Sequence, residues 1–466
     1  MPWREFTIGR RGILGLGAAG FAAGALPTAA AAAASTNRRS VKGKRRAKNV
    51  VFLVSDGMSS GTFTLAEMMR DVKGMGPSHW SRLWSKPGVR RASCTTYSAS
   101  GWVTDSAAAG SAWGIGEHIE NGAINFTPDG RTPEPILVSA HGMGKRSGLV
   151  TTTRLTHATP AAFVANAPRR SLEADIARQM LDRGVDVMLG GGRKHFGSLI
   201  ANAGDLTVVE TREAMLAEAA ATGRLLGLFH HDHVPYALDR GDEHPSLADM
   251  TRVALGRLEN APDGFVLQVE GGRVDHGAHA NDAAGMIADQ IDFDEAVGVV
   301  AEWADERDDT LVIVTTDHAN ANPGLGYYGK PGVESFERLA GATRSFEWIF
   351  KEGRTGGAFD AFVDSVQAGT GVELTGDEIA TLRTRFVDDQ PVNAFDIANG
   401  KEPVLGSVLA NHFGVAFMCP NHTSDLVEVT AFGPGSEAMP MLIDNTDLYR
   451  MAMAAMSDAH ASPWAG

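Results

Sequence analysis

Cysteine is nearly absent from this chain of 466 residues, which contains only Cys94 and Cys419. Two cysteines cannot build the disulfide framework that stabilises small secreted domains. Whether the two side chains pair or remain separate thiols stays open, because sequence separation does not give their distance. Hydrophobic residues make up 43% of the chain, so we expect a large apolar core to stabilise it instead.

Positive charge and long apolar runs are scarce after the first 48 residues. The whole chain has 42 Lys plus Arg, 56 Asp plus Glu and a formal net charge of −14. Residues 1–48 contain ten bases and one acid, so the rest of the chain carries −23. We therefore expect no nucleic acid partner, since so acidic a body repels polyanions. Beyond the first 35 residues no apolar run has the length of a span, so we also expect no stable membrane insertion.

The first 35 residues have the pattern of an export signal. Arg10 and Arg11 precede an apolar stretch over 13–26 and a run of alanines. A charged start, a short apolar segment and small residues are typical of a cleavable signal, and the paired arginines favour the twin-arginine export machinery. A lone membrane anchor is the alternative, although the stretch is short for a span. Residues 36–48 are interpreted as a basic linker, and we expect a periplasmic or secreted protein.

Short apolar runs alternate with helical patterns along the chain after the linker. Strands are predicted at 49–54, 147–153, 185–189, 265–269 and 311–315, and helices at 171–183, 246–259 and 278–306. Thr159 and Pro160 are interpreted as the N-cap and first residue of another helix. The alternation predicts an α/β fold, a three-layer sandwich with a central, mostly parallel sheet covered by helices. Ligands then bind at the carboxyl ends of the strands.

The stretch from about 320 to 411 is richer in glycine and polar residues than its surroundings. Helical patterns occur near 335–351, 358–368 and 377–386. We interpret the stretch as an insertion within one catalytic domain that spans 49–466. It is either a surface elaboration or a lid or rim over the site. In the second case the candidates for lining the entrance are Tyr327, Tyr328, Phe346 and Trp348.

Carboxylates and imidazoles recur at the predicted strand ends. Asp275 and His279 are four residues apart, a spacing that places both side chains on one face of a helix. Residues of the same types follow other strands, namely Asp56, Asp317, His318 and, further along, His422. Carboxylate and imidazole ligands together suit zinc. The sequence therefore predicts a metal site at the carboxyl edge of the sheet.

Ser106 opens an alanine-rich segment that favours helix. Thr104, Asp105 or Ser106 can cap the start of that helix, where free backbone N–H groups attract an anion. No general base is evident nearby, so a Ser–His–Asp hydrolase is poorly supported. A metal ion can instead activate the hydroxyl by lowering its pKa. The alternative is an ordinary capping serine.

In combination, these segments resemble the alkaline phosphatases, phosphomonoesterases that use two zinc ions and one magnesium ion. The resemblance rests on the strand leading into Asp56-Gly57-Met58, on Thr104-Asp105-Ser106-Ala107, on 153–160, on 268–272 with Asp275 and His279, on 316–318 and on 421–423. It covers residues 49–319 and 412–435.

The resemblance implies a role for each matching residue. Ser106 is the nucleophile and becomes transiently phosphorylated. Asp275, His279 and His422 hold one zinc ion, and Asp56, Asp317 and His318 hold the second. Asp56, Thr159 and Glu270 hold the magnesium ion. Arg170 clamps two phosphate oxygens, although the neighbouring Arg169 is an alternative.

His157 and His276 stand where some bacterial members of the family carry an acid and a lysine. An imidazole is a softer donor than a carboxylate, so we expect His157 to weaken magnesium binding at the third site. We expect His276 to hold product phosphate less tightly than a lysine. The alternative is that both histidines only pack beside the site.

Two other classes of function are alternatives to a phosphatase. A phosphodiesterase, sulfatase or phosphomutase has related metal sites, but Ser106 lacks the C/S-x-P-x-R setting of sulfatases. Thr159 and Glu270 supply the third metal site that diesterases lack. A non-catalytic exported binder of phosphate or metal has no need of a nucleophile at Ser106. We therefore expect broad specificity for small phosphate monoesters, while the choice between monomer and homodimer stays open.

Overall fold

The computed structural model describes residues 46–200, 204–355 and 358–457. The predicted export signal lies outside the described residues, as does the predicted linker except for its last three positions. Within these ranges, no helix has both the length and the apolar character that crossing a membrane requires.

Strands account for the centre of the described part of the chain. In order they are β1 Asn49–Ser55, β2 Arg90–Thr95, β3 Arg146–Arg154, β4 Val187–Gly191, β5 Leu206–Val209, β6 Arg224–Leu228, β7 Phe265–Gly271, β8 Thr310–Thr315, β9 Ala319–Asn320, β10 Gly324–Leu325, β11 Val415–Ala416, β12 His422–Thr423, β13 Val427–Phe432 and β14 Leu442–Asp444. Ten of them form one sheet in the order β14-β2-β13-β8-β1-β7-β3-β4-β6-β5. Strand β13 runs antiparallel to β2 and β8, and the other pairings are parallel. The predicted mostly parallel sheet is confirmed.

Strand β1 shows why the sheet is central. Every residue in it is buried, as expected for a parallel strand covered on both faces. Side chains alternate along a strand, so Val51 and Leu53 enter one apolar core. Val50, Phe52 and Val54 enter a second core on the opposite face. The continuous apolar run that predicted this strand therefore packs against helices on both faces of the sheet.

Helices cover both faces. They are α1 Ser60–Val72, α2 His79–Leu83, α3 Ser106–Ile115, α4 Ile136–Gly142, α5 Ala158–Ala162, α6 Glu173–Asp182, α7 Arg193–Ile200, α8 Arg212–Ala217, α9 Leu247–Leu258, α10 Arg273–His279, α11 Ala283–Ala304, α12 Gly329–Leu339, α13 Phe346–Thr355, α14 Phe359–Thr370, α15 Gly376–Phe386, α16 Lys401–Phe413 and α17 Thr446–Met456. Helices α1, α9 and α11 share the core of Val51 and Leu53. Helices α3, α4, α5, α6 and α17 share the other.

Two predicted helices have different bounds in the structure. The helix predicted over 278–306 is present as α11, but it begins only at Ala283, after α10 has ended at His279. Between them Asn281 has a φ of 54°, and the Asp282 carboxylate caps α11 by accepting from the Gly285 N–H at 3.0 Å. The pattern near 335–351 likewise divides into α12 and α13.

The stretch that the sequence predicts to be an insertion, from about 320 to 411, contains helices α12 to α15 and most of α16. Their buried side chains, among them Phe336, Ile349 and Leu382, belong to the same apolar core as Val51 of the sheet. The expectation that Phe346 lines an entrance is wrong, because it is 5% exposed and part of this core. Trp348 is half-buried, whereas Tyr327 and Tyr328 are exposed.

Candidate metal centre

The strand order brings the predicted acidic residues to one edge of the sheet. Strands β8, β1, β7 and β3 are neighbours, and parallel strands end on the same side. Asp56 follows β1, Glu270 is the penultimate residue of β7, and Asp317 follows β8. Val54 lies directly opposite both Glu270 and Thr315, so the registers of these strands align their ends. The three carboxylates therefore meet although more than 200 positions separate the first from the others.

Asp275, His279 and His422 form the first cluster of potential metal ligands. The His279 and His422 Nε2 atoms lie 3.4 Å from the two oxygens of Asp275 and 2.9 Å from each other. Each ring directs Nδ1 to a backbone carbonyl, His279 to Pro420 at 2.7 Å and His422 to Thr104 at 2.8 Å. Donation from Nδ1 leaves Nε2 as the lone-pair donor, which is the usual arrangement of a metal-binding histidine.

Asp56, Asp317 and His318 form a second cluster, fully buried beside Ser106. His318 Nε2 lies 3.6 Å from Asp56 Oδ1 and 3.1 Å from Asp317 Oδ2. The Ser106 Oγ atom is 3.3 Å from the same nitrogen. Ser106, the first residue of α3, therefore lies next to a site that offers three potential metal ligands.

Asp56, His157 and Glu270 form a third buried cluster that shares Asp56 with the second. His157 Nδ1 lies 3.9 Å from Glu270 Oε1, and the Thr159 hydroxyl donates to Asp56 Oδ2 at 3.5 Å. The prediction that Thr159 is a helix N-cap is wrong. His157 is the N-cap of α5, because its carbonyl accepts the first intrahelical bond, from Ala161 N–H at 3.0 Å. Thr159 is therefore a helical residue whose hydroxyl is free to face Asp56.

The unsatisfied polar atoms in these clusters fit divalent cations. No described group hydrogen-bonds to Asp56 Oδ1, Asp317 Oδ2, Glu270 Oε1 or His157 Nδ1, although all four atoms are buried. Burial raises the pKa of Asp56 well above its usual value, and the neighbouring Asp317, Asp275 and Glu270 carboxylates raise it further. Burial also raises the pKa of Glu270 to about 7. Ionised carboxylates that are buried close together destabilise the folded protein unless a cation neutralises them.

Asp105 ties the start of α3 to Arg170. As the N-cap, Asp105 accepts from the Ala108 N–H at 3.0 Å, and its other oxygen accepts from Arg170 Nη1 at 3.0 Å. Arg170 Nη2 lies 3.0 Å from His157 Nε2. The neighbouring Arg169 is exposed. Of the two arginines that the sequence left open, Arg170 is the one whose guanidinium contacts residues of the centre.

His157 and His276 are joined by a third histidine that the sequence analysis did not single out. The ring centroid of His233 lies 4.4 Å from that of His276 and 5.9 Å from that of His157. The centroids of His157 and His276 are 5.7 Å apart. The backbone brings His233 here because the next residue, Val234, donates its N–H to the Thr152 carbonyl at 3.0 Å. The histidine-dense run at 230–233 was the one sequence signal available.

The two cysteines do not pair. Cys94 and Cys419 are both buried free thiols. The Cys94 thiol donates to the Thr95 carbonyl at 3.2 Å, and the Cys419 thiol donates to the Asn421 carbonyl at 3.4 Å. Burial raises the pKa of the Cys94 thiol above its usual value. Of the two alternatives, separate thiols are therefore correct.

Comparison with known proteins identifies the family. The model of the alkaline phosphatase family matches residues 47–457. Alkaline phosphatase 3 of Bacillus subtilis (strain 168) is 30% identical over 426 residues, which cover 88% of this chain and 89% of the relative. Alkaline phosphatase 4 of the same organism is 31% identical over 357 residues, which cover 74% of this chain and 75% of the relative. The crystal structure of Thermus thermophilus alkaline phosphatase superposes with a TM-score of 0.82 at 31% identity, covering 88% of this chain and 91% of that one. The chain therefore belongs to the alkaline phosphatase family and is a phosphoric monoester hydrolase.

Proposed function

We propose that this enzyme hydrolyses phosphate monoesters of broad specificity through a phosphoserine at Ser106, and that two zinc ions and one magnesium ion support the reaction. The observation that carries the proposal is the 3.3 Å distance from Ser106 Oγ to His318 Nε2, within the buried cluster that also contains Asp56 and Asp317. A hydroxyl in that position needs no separate general base, because a bound metal ion can activate it by lowering its pKa.

Each cluster would hold one ion. Asp275, His279 and His422 are ligands for one zinc ion, and Asp56, Asp317 and His318 are ligands for the other. Asp56, Glu270 and Thr159 are ligands for magnesium, with His157 as a neighbouring imidazole. When bound, such cations lower the pKa of a coordinated hydroxyl and neutralise charge on the attacking and leaving oxygens.

The residues of the chain bind and orient the phosphoryl group. Ser106 is the first residue of α3 and is 2% exposed, and its Oγ would be the atom that attacks phosphorus. The N–H groups at the start of this helix attract the anionic group. Arg170 presents a planar fork that can donate to two phosphate oxygens, and Asp105 keeps it in place. In the first step a bond forms between Ser106 Oγ and phosphorus, the P–O ester bond breaks and the alcohol leaves. In the second step water attacks phosphorus, the bond to Ser106 Oγ breaks and phosphate is released.

Broad specificity follows from where these contacts are made. Ser106, Arg170 and the proposed cations all act on the phosphoryl group, and none of them is assigned to the alcohol. One relative, 31% identical over 405 residues, is the streptomycin-6-phosphate phosphatase of Streptomyces griseus. Export through the twin-arginine route to the periplasm or the medium, from the signal at 1–35, is part of the same proposal and is supported by the sequence pattern alone.

The proposal is tested with purified protein by metal analysis, by trapping of the phosphoenzyme and by steady-state kinetics. Metal analysis should find about two zinc ions and one magnesium ion per chain, and chelation should abolish activity on p-nitrophenyl phosphate. Rapid quenching with radiolabelled phosphate should trap one phosphate per chain on Ser106. Ser106→Ala should lower kcat by several orders of magnitude. Label on another residue, or full activity after chelation, would contradict the mechanism. Faster cleavage of bis-p-nitrophenyl phosphate than of the monoester would instead indicate a diesterase.

A further inference from the structure

Arg273 is a buried cation whose role the proposed mechanism does not explain. It is the first residue of α10, and its side chain is 3% exposed. A guanidinium removed from water is costly unless its donors and its charge are matched by specific partners. The partners of Arg273 therefore decide how this part of the site is held.

One partner is His276 of the proposed site. Arg273 Nη1 lies 2.9 Å from His276 Nδ1. A guanidinium can only donate, so Nδ1 accepts, and a neutral imidazole must then carry its proton on Nε2. Arg273 thereby selects one of the two tautomers of His276. The selected tautomer has a hydrogen-bond donor at the nitrogen that Arg273 does not contact.

The second partner comes from the inserted stretch. Arg273 Nη2 lies 2.5 Å from Glu347 Oε2, in the first turn of α13. The Arg273 guanidinium carbon also lies 3.8 Å from the ring centroid of Tyr236, a cation–π contact on the core side. The guanidinium is therefore held between a carboxylate of the insertion and an aromatic ring of the core.

The start of α13 is fixed to the core at two further points. The Ser345 N–H donates to Asp239 Oδ1 at 3.1 Å. The Phe346 N–H donates to Asp282 Oδ2 at 2.7 Å, and Asp282 is also the N-cap of α11. Glu347 therefore extends from a backbone that is anchored, immediately before it, to residues outside the insertion, although its own side chain is 61% exposed.

We propose that Glu347 and Arg273 form a positioning pair that fixes the orientation and tautomer of His276, so that the insertion helps to set the geometry of the phosphate site. The inference rests on the proposed function and on the expectation from the sequence that His276 contacts product phosphate. Glu347 orients Arg273, Arg273 orients His276, and neither Glu347 nor Arg273 touches the substrate. This assigns the insertion a role beyond surface elaboration and distinct from that of a lid.

The test uses the metal-loaded enzyme with 15N-labelled histidine. Long-range proton–nitrogen spectra report which ring nitrogen carries the proton, and loss of one signal set in His276→Gln assigns the residue. The wild type should show a proton on Nε2 and none on Nδ1. Arg273→Met should give a mixture of tautomers, and the inhibition constant of inorganic phosphate should rise about three- to tenfold, as for one lost hydrogen bond. Arg273→Lys, which keeps a donor, should restore part of both effects.

Glu347→Gln tests the part played by the insertion in a variant that should fold, since the side chain is largely exposed. It should shift the His276 signals in the same direction as Arg273→Met, by a smaller amount. Glu334→Gln is the matched control, because it removes an insertion carboxylate that pairs with Lys330 instead. Glu334→Gln should leave both the spectrum and phosphate inhibition unchanged.

Three outcomes would overturn the inference. One is a wild-type spectrum with the proton on Nδ1, and another is an unchanged His276 spectrum in Arg273→Met, which would make Arg273 a purely structural cation. The third is an unchanged spectrum in Glu347→Gln, which would remove the insertion from the pair. Failure of the proposed function is separate. It would appear as a wild type without metal-dependent phosphatase activity, whereas the spectra report the tautomer directly.

Discussion

Asn320 donates its side-chain amide to Asp275 Oδ1 at 2.7 Å and to the Asp275 carbonyl at 3.2 Å. The backbone of Asn320, in β9, also pairs with that of His422 in β12. One fully buried asparagine therefore contacts two residues of the first metal cluster. Asn320 stands at the start of the predicted insertion, yet its contacts are with residues of the metal centre.

Replacing Asn320 should weaken the first metal site. Asn320→Ala removes the donor that holds one oxygen of Asp275, and loss of such an outer partner usually lowers metal affinity by about 10–100-fold. Competition with a zinc chelator measures the change. Asn322→Ala is the control, since Asn322 bonds to Asp425, which belongs to none of the three clusters. Equal zinc affinity in Asn320→Ala and the wild type would contradict a positioning role for Asn320.

Arg170→Ala should chiefly weaken the binding of phosphate and substrate. Loss of a charge-assisted, bidentate pair costs about 2–4 kcal/mol, so the KM and the inhibition constant of phosphate should rise strongly. Steady-state kinetics on p-nitrophenyl phosphate measures both constants. Arg169→Ala is the matched control, because this exposed neighbour should have little effect. A larger loss of binding in Arg169→Ala than in Arg170→Ala would show that Arg169, and not Arg170, is the phosphate clamp.

The stability of the metal-free protein should depend on the protonation of Glu270. Its folded pKa of about 7 lies above its ordinary value of 4.5 because of burial. The protonated side chain therefore favours folding below about pH 4.5, and this contribution is lost as pH rises through 7. The loss is about 3 kcal/mol from this group.

Glu270→Gln isolates that contribution, since a neutral amide has no charge to bury. After dialysis against a chelator, the Tm of the wild type should fall relative to that of Glu270→Gln between pH 5 and pH 8. Adding zinc and magnesium at pH 8 should restore the wild type more than the variant. A constant Tm difference across this pH range would show that Glu270 does not titrate as described.

Magnesium should bind loosely at the third cluster because His157 places an imidazole there. Magnesium prefers hard oxygen ligands, whereas imidazole suits zinc. After dialysis, wild-type activity should rise on addition of magnesium, and excess zinc should inhibit by competing for that cluster. His157→Asp adds a carboxylate and should retain magnesium through the same dialysis. If the wild type keeps magnesium as firmly as His157→Asp does, the explanation based on His157 is wrong.

The secondary structure was most predictable where apolar runs were continuous. Strands β1, β7 and β8 carry unbroken apolar sequences because helices cover both faces of the sheet. Strand β5, which lies at one end of the sheet and is mostly only half-buried, gave no such signal. The break between α10 and α11 was also not predicted. It is set by Asp282, which caps the start of α11, and not by a change in the hydrophobic pattern.

The sequence by itself determined which residue types follow the strands, and parallel strand topology then required their carboxylates and imidazoles to lie at one edge. Only the tertiary structure decided what surrounds them. The contacts of Asn320 with Asp275, of His233 with His276 and of Glu347 with Arg273 join residues between 43 and 74 positions apart. Such pairs have no spacing rule, because loop paths and helix packing bring them together. The same reason kept the separation of Cys94 and Cys419 unknown until the fold placed each in its own buried environment.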